Sequence, residues 1–142
     1  MDSKKFDEGK ELKDALPGEV FLFAMQGFIN MGELLLTENP NSKAKNYVEP
    51  AKQLYQKMLM MFEFEPSEEH YTYESIMNCL GDLPVDETTF ALKMVNVFIQ
   101  GLEITMERNA YVATTRPNVV RNYEILTKMM EELDKYSERY RT

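Results

Sequence analysis

The stretch Asp86–Asn109 constrains the fold most, because its polar side chains form one narrow stripe at helical spacing. The stripe is built by five residues at steps of three and four: Lys93, Asn96, Gln100, Glu103 and Glu107. This is the repeat of an α-helix. Most of the remaining side chains are apolar, so other elements must cover most of the helix surface. The sequence therefore predicts a helix at the centre of a small helical bundle.

The start of this helix carries two recognisable signals. Asp86 is predicted to be the N-cap, because its carboxylate can accept hydrogen bonds from unpaired backbone N–H groups. Val85 and Phe90 occupy the two positions of a hydrophobic staple around that cap. We expect both residues to pack against each other there.

A second apolar helix is predicted from Pro17 to about Thr37. Proline is tolerated in a first turn, and Glu19 there complements the positive end of the helix dipole. The predicted buried residues include Phe21, Phe23, Phe28, Ile29, Leu34 and Leu35. Glycine costs about 1 kcal/mol relative to alanine inside a helix, so Gly27 and Gly32 indicate close approach of another helix. Gly101 indicates the same for the central helix.

Three more helices are predicted from proline and glycine positions. The first spans Pro50 to about Phe64, with an inward stripe of Ala51, Leu54, Tyr55, Met58, Met61 and Phe62. A shorter helix opens at Ser67 and closes at Gly81 in a left-handed conformation, with Tyr73, Met77 and Leu80 facing inward. The last begins at Pro117 and has an inward stripe of Val119, Tyr123, Leu126, Met130, Leu133 and Tyr140.

The predicted fold is thus all-α, a compact helical bundle of four main helices plus one short helix. A chain of 142 residues fits one domain, which we place at residues 16–142. Residues 1–15 are predicted to be a flexible or short-helical lead-in, since their charges are mixed and their large apolar residues few.

Charge and composition narrow the classes of partner. The formal net charge of −8 favours a basic protein surface over direct binding to nucleic acid or to an anionic membrane. The single cysteine, Cys79, excludes an internal disulfide framework. The N-terminus lacks the apolar stretch of a signal peptide, and the longest apolar run, Val20 to Met25, is too short to span a bilayer. We therefore expect a cytoplasmic protein.

Residues that could support catalysis are few. His70 is the only histidine, and with Glu74 it supplies only two metal ligands. Cys79 has no histidine nearby in sequence and is interpreted as a structural thiol.

Two carboxylate pairs have the spacing with which helical nucleotide pyrophosphatases hold magnesium. These are Glu65 with Glu68, and Glu131 with Asp134. Pro66 interrupts the first pair, and the second is predicted to lie on a solvated face. We therefore predict no enzyme activity, no cofactor and no metal.

The stretch Met60–Glu74 is the best candidate for function, because methionine and aromatic residues alternate there with glutamates. Its simplest interpretation is a helix end, a turn and a solvated helix start whose aromatic residues fold back onto the core. The functional interpretation is a contact surface for a partner protein with a basic surface. Apolar anchors dominate binding energy and charges steer the encounter. The predicted contact residues are Met60, Phe64, Glu65, Glu68, Glu69 and Tyr71.

The leading hypothesis is accordingly a non-catalytic protein-interaction or regulatory module. One alternative is an acidic inhibitor that mimics nucleic acid and occupies the channel of a nucleic-acid-binding protein. Another is a structural homo-oligomer or a small helical chaperone. Leu-Pro-Gly-Glu followed by an apolar helix, at Leu16 to Phe28, resembles the opening of flagellar export chaperones, which are small helical binders of secreted subunits. This resemblance covers about a dozen residues.

Overall fold

The computed structural model describes residues 15–63, 72–108 and 117–141 of the chain. Within these ranges the protein is all-α, as predicted, and contains no strand. A short 3₁₀ helix, Lys43–Asn46, follows the first α-helix and was not predicted. The five α-helices are α1 Pro17–Glu38, α2 Val48–Glu63, α3 Tyr73–Asp82, α4 Val85–Arg108 and α5 Pro117–Arg141.

Helix α1 lies at the centre of the packing. It contacts each of the other four α-helices and the 3₁₀ helix, whereas the sequence indicated α4 for this place. Pro17 is its first residue, as predicted, and the Glu19 carboxylate accepts a hydrogen bond of 3.0 Å from the backbone N–H of Leu16. This bond satisfies one of the polar groups that a helix start leaves unpaired.

The junction between α3 and α4 differs from the prediction, and Pro84 explains why. A proline disfavours helical backbone in the residue before it, and Leu83 is indeed extended, so α3 ends at Asp82 and not at Gly81. None of the described glycines has a positive φ, so Gly81 is an ordinary helical residue. Helix α4 then begins directly after Pro84, whose carbonyl accepts the Thr88 N–H at 3.0 Å.

Two predicted features of the α4 start are therefore wrong. Asp86 lies within the first turn and is not the N-cap. Val85 is 83% exposed, so it does not form a hydrophobic staple with Phe90. The predicted polar stripe of α4 is confirmed, since all five of its residues are exposed: Lys93, Asn96, Gln100, Glu103 and Glu107.

The start of α3 also lies later than predicted. Thr72 is its N-cap, and the Thr72 hydroxyl accepts a hydrogen bond of 3.1 Å from the Ser75 N–H. Ile76 and Cys79 are buried with Leu80, whereas the predicted inward residues Tyr73 and Met77 are only half-buried. The residues before the cap, including the predicted start at Ser67, lie outside the described residues.

The core receives side chains from every α-helix. Its largest fully buried members are Phe21 and Met25 of α1, Met58 and Phe62 of α2, Ile76 of α3, Met94 and Val95 of α4, and Leu126 and Met129 of α5. Four of these nine are methionines, whose flexible side chains fill irregular gaps between helices. The predicted inward residues of α2 are buried except Met61, which is half-buried. On α5, Leu126 and Leu133 are buried as predicted, whereas Val119, Tyr123 and Met130 are half-buried.

Glycines allow the helices to approach closely, as predicted. A Cβ atom on Gly27 would lie 2.3 Å from a ring carbon of Phe98 in α4. A Cβ on Gly32 would lie 2.7 Å from Val48 at the start of α2. At Gly101 the nearest atom is the Met31 methyl carbon, 3.2 Å away. The α1–α4 contact therefore depends most on the absence of a side chain at Gly27.

Helix α1 is also long and apolar enough, by length and composition alone, to cross a bilayer. The core helix of a globular protein has the same length and composition, and the contacts of α1 with every other helix fit that interpretation.

Candidate functional site

Of the predicted contact residues, the structure describes one, Met60. Its side chain is 56% exposed on the outward face of α2, as predicted. The other five, Phe64, Glu65, Glu68, Glu69 and Tyr71, lie outside the described residues.

Met60 borders a shallow surface depression of about 430 Å³ whose lining is mostly apolar. The depression runs along α2 and is formed by Lys52, Gln53, Gln56, Lys57 and Met60. Its apolar character comes from the aliphatic parts of these long polar side chains together with the methionine. The surface therefore offers an extended, flexible contact area and no enclosed cavity.

The two lysines that line this depression form ion pairs with glutamates of neighbouring helices. Lys52 Nζ lies 2.6 Å from a carboxylate oxygen of Glu33 on α1, and Lys57 Nζ lies 2.8 Å from Glu87 on α4. The hydrogen bond with Glu33 and its charge raise the pKa of Lys52 above its ordinary value. Both lysine charges that border Met60 are thus paired with carboxylates. The predicted acidic rim consists of Glu65, Glu68 and Glu69, which lie outside the described residues.

A second exposed apolar region lies on α1 and α4, where the sequence indicated none. Besides Val85 at the start of α4, four large apolar residues of these helices are exposed: Met31 at 37%, Leu34 at 62%, Leu35 at 47% and Ile104 at 47%. Leu34 and Leu35 were expected to be buried. The exposure of Leu34 could have been predicted from its position one helical turn after Asn30, a polar residue that is also exposed.

The described part of the chain offers little for catalysis or metal binding. It holds no group of three or more histidine, cysteine or acidic residues that could bind a metal ion. Cys79 is buried with its sulfur 3.7 Å from the Met61 sulfur, which supports a structural thiol. Glu131 and Asp134 are both exposed on α5, as predicted. His70, Glu65 and Glu68 lie outside the described residues.

One exposed hydrogen bond joins α4 to α5, and its effect on the pKa of Tyr123 can be tested. The Tyr123 hydroxyl donates to a Glu103 carboxylate oxygen at 2.6 Å, and this bond, with desolvation second, raises the pKa of Tyr123 above its ordinary value. The bond therefore stabilises the fold fully below the ordinary tyrosine pKa of about 10 and is lost as pH rises through the raised value. In the Glu103→Gln variant, we expect the Tyr123 pKa to fall toward its ordinary value.

NMR titration of ring-labelled tyrosine measures this change, with Tyr123→Phe identifying the signal. An unchanged Tyr123 pKa in Glu103→Gln would show that the carboxylate does not control it.

Comparison with known proteins finds no matching family model, no matching curated protein and no matching solved structure.

Proposed function

We propose that this protein is a non-catalytic interaction or regulatory module, built on a compact helical bundle, that binds a partner protein through the surface from Met60 to Tyr71. The exposure of Met60 carries the proposal. Nearby on α2, Met58 and Phe62 are at most 1% exposed and Leu59 and Met61 are half-buried, whereas Met60 lies outside the core. A flexible apolar side chain in water beside an apolar depression is suited to contact with a partner.

The partner is proposed to present a basic surface. The net charge of −8 attracts such a surface over the range of the Debye length, and Glu65, Glu68 and Glu69 would add local attraction. Near Met60 the charges of Lys52 and Lys57 are paired with Glu33 and Glu87, so the apolar contact supplies affinity while the glutamates steer the approach. Binding should then weaken moderately, and not steeply, as salt rises.

The test is an affinity pull-down from a lysate of the source cells, with bound proteins quantified by mass spectrometry at low and moderate salt. We expect Met60→Ser to reduce capture of a specific partner about tenfold, the effect of losing about 1.4 kcal/mol of binding free energy. Phe64→Ala combined with Tyr71→Ala should weaken the same capture. The matched control is Val85→Ser, because Val85 is the most exposed large apolar residue described and lies outside this surface.

Three results would contradict this proposal. Equal capture by wild type and Met60→Ser would remove Met60 from the contact. A partner that is released steeply by salt and competed by DNA or RNA would favour the acidic mimic. Sedimentation as a dimer that Met60→Ser converts to a monomer would favour the homo-oligomer.

A further inference from the structure

Apart from Val85 at the start of α4, the exposed large apolar residues of α1 and α4 lie at one end of the helix pair. The side chain of Met31 lies against Gly101, with its methyl carbon 3.2 Å from where a Cβ would be. Leu34 and Leu35 follow Met31 by one helical turn along α1, and Ile104 follows Gly101 by one turn along α4. We call the group Met31, Leu34, Leu35 and Ile104 the α1–α4 end surface. It does not include Met60.

The charges on the two helix segments that carry this surface are acidic; the next basic residues along the chain are Arg108, which follows Glu107, and Lys43 and Lys45 of the 3₁₀ helix. The chain has no lysine or arginine from Asn30 to Glu38 or from Val97 to Glu107, whereas these two segments contain four exposed glutamates: Glu33, Glu38, Glu103 and Glu107. Glu33 is paired with Lys52, and Glu103 accepts a hydrogen bond from Tyr123. The last turn of α1 carries no basic residue, so the negative end of its dipole adds to the acidic potential.

We propose that the α1–α4 end surface is a second binding site, whose occupant is a basic amphipathic helix of a partner protein. The apolar face of such a helix would cover the leucines and Ile104, and its lysines or arginines would face the glutamates. Helices bind to apolar grooves between helices in this way. A second copy of this chain is disfavoured because it would bring the same glutamates together. The site is separate from the surface proposed above and does not depend on it.

The probe for this site is a synthetic amphipathic helix of about 18 residues made of leucine and lysine. The control peptide replaces every lysine by glutamate. We expect the lysine peptide to bind the full chain and the glutamate peptide to bind at least tenfold more weakly. Fluorescence anisotropy gives the affinities, and methyl NMR should show shifts at Met31 and Ile104 on addition of the lysine peptide.

The variant for this test is Leu34→Ser combined with Leu35→Ser. Leu34 is 62% and Leu35 47% exposed, so the variant should remain folded while binding the lysine peptide at least tenfold more weakly. Val85→Ser is the matched control and should bind like wild type, because Val85 belongs to neither proposed surface.

Several results would overturn the proposal. Equal binding by wild type and the double variant would show that the peptide does not bind at the α1–α4 end surface. Unfolding of the double variant would show that the leucines are buried. A wild-type dimer that the double variant converts to a monomer would assign the surface to a second copy of this chain.

Discussion

Replacing Phe21 by alanine should lower the free energy of unfolding by about 3–5 kcal/mol, the usual cost of deleting a buried phenylalanine ring. Phe21 is 0% exposed and belongs to α1, the helix that contacts all the others. Small domains are stable by only about 5–15 kcal/mol in total, so this one change should remove a large part of the stability. Urea unfolding followed by far-UV circular dichroism measures the loss.

Leu34→Ala is the matched control on the same helix. Because Leu34 is 62% exposed, its truncation should change the free energy of unfolding by less than about 1 kcal/mol. Equal costs at the two positions would mean that the C-terminal part of α1 is buried as deeply as its start, contrary to the structure.

Gly27→Ala should lower the free energy of unfolding by about 1–3 kcal/mol, although alanine favours a helix more than glycine does. The added Cβ would lie 2.3, 2.6 and 2.7 Å from three ring carbons of Phe98, so the ring or one of the two helices must shift. Thermal and urea unfolding measure the effect. In the Phe98→Ala variant the ring is absent, so Gly27→Ala should then leave the free energy of unfolding unchanged or raise it.

Gly81→Ala is the control for Gly27→Ala. Gly81 is helical, and its added Cβ would meet no atom within 4 Å, so alanine should raise the free energy of unfolding by about 0.5–1 kcal/mol. If Gly27→Ala lowers the free energy of unfolding equally in wild type and in the Phe98→Ala variant, the Phe98 ring is not the reason that glycine is needed at this position.

The helices could be predicted from the sequence where local signals act alone. Pro17 and Pro117 are first helical residues, and the apolar stripe of α2 is buried as its spacing indicates except at the half-buried Met61. Errors arose where two signals compete within a few residues. Gly81 is a common helix end, but Pro84 restricts Leu83 and thereby sets both the end of α3 and the start of α4.

The surfaces were harder to predict because exposure depends on how far neighbouring helices extend. Leu34 and Leu35 have the composition of a core helix, but they are exposed in the last turns of α1. Periodicity shows which face of a helix is apolar and does not show where its partner ends. The exposure of Met60 could be predicted because it lies opposite the apolar stripe of α2. The remaining residues of that predicted site lie outside the described part of the chain.

The distribution of methionines has a consequence for oxidative damage. Met25, Met58, Met94 and Met129 are at most 2% exposed, whereas Met60 is 56% and Met31 is 37% exposed. Oxidation to the sulfoxide makes the side chain polar, and accessible sulfur atoms react first. A mild oxidant would therefore alter the two proposed contact surfaces while the packed interior is still reduced, so that binding is impaired before the fold is.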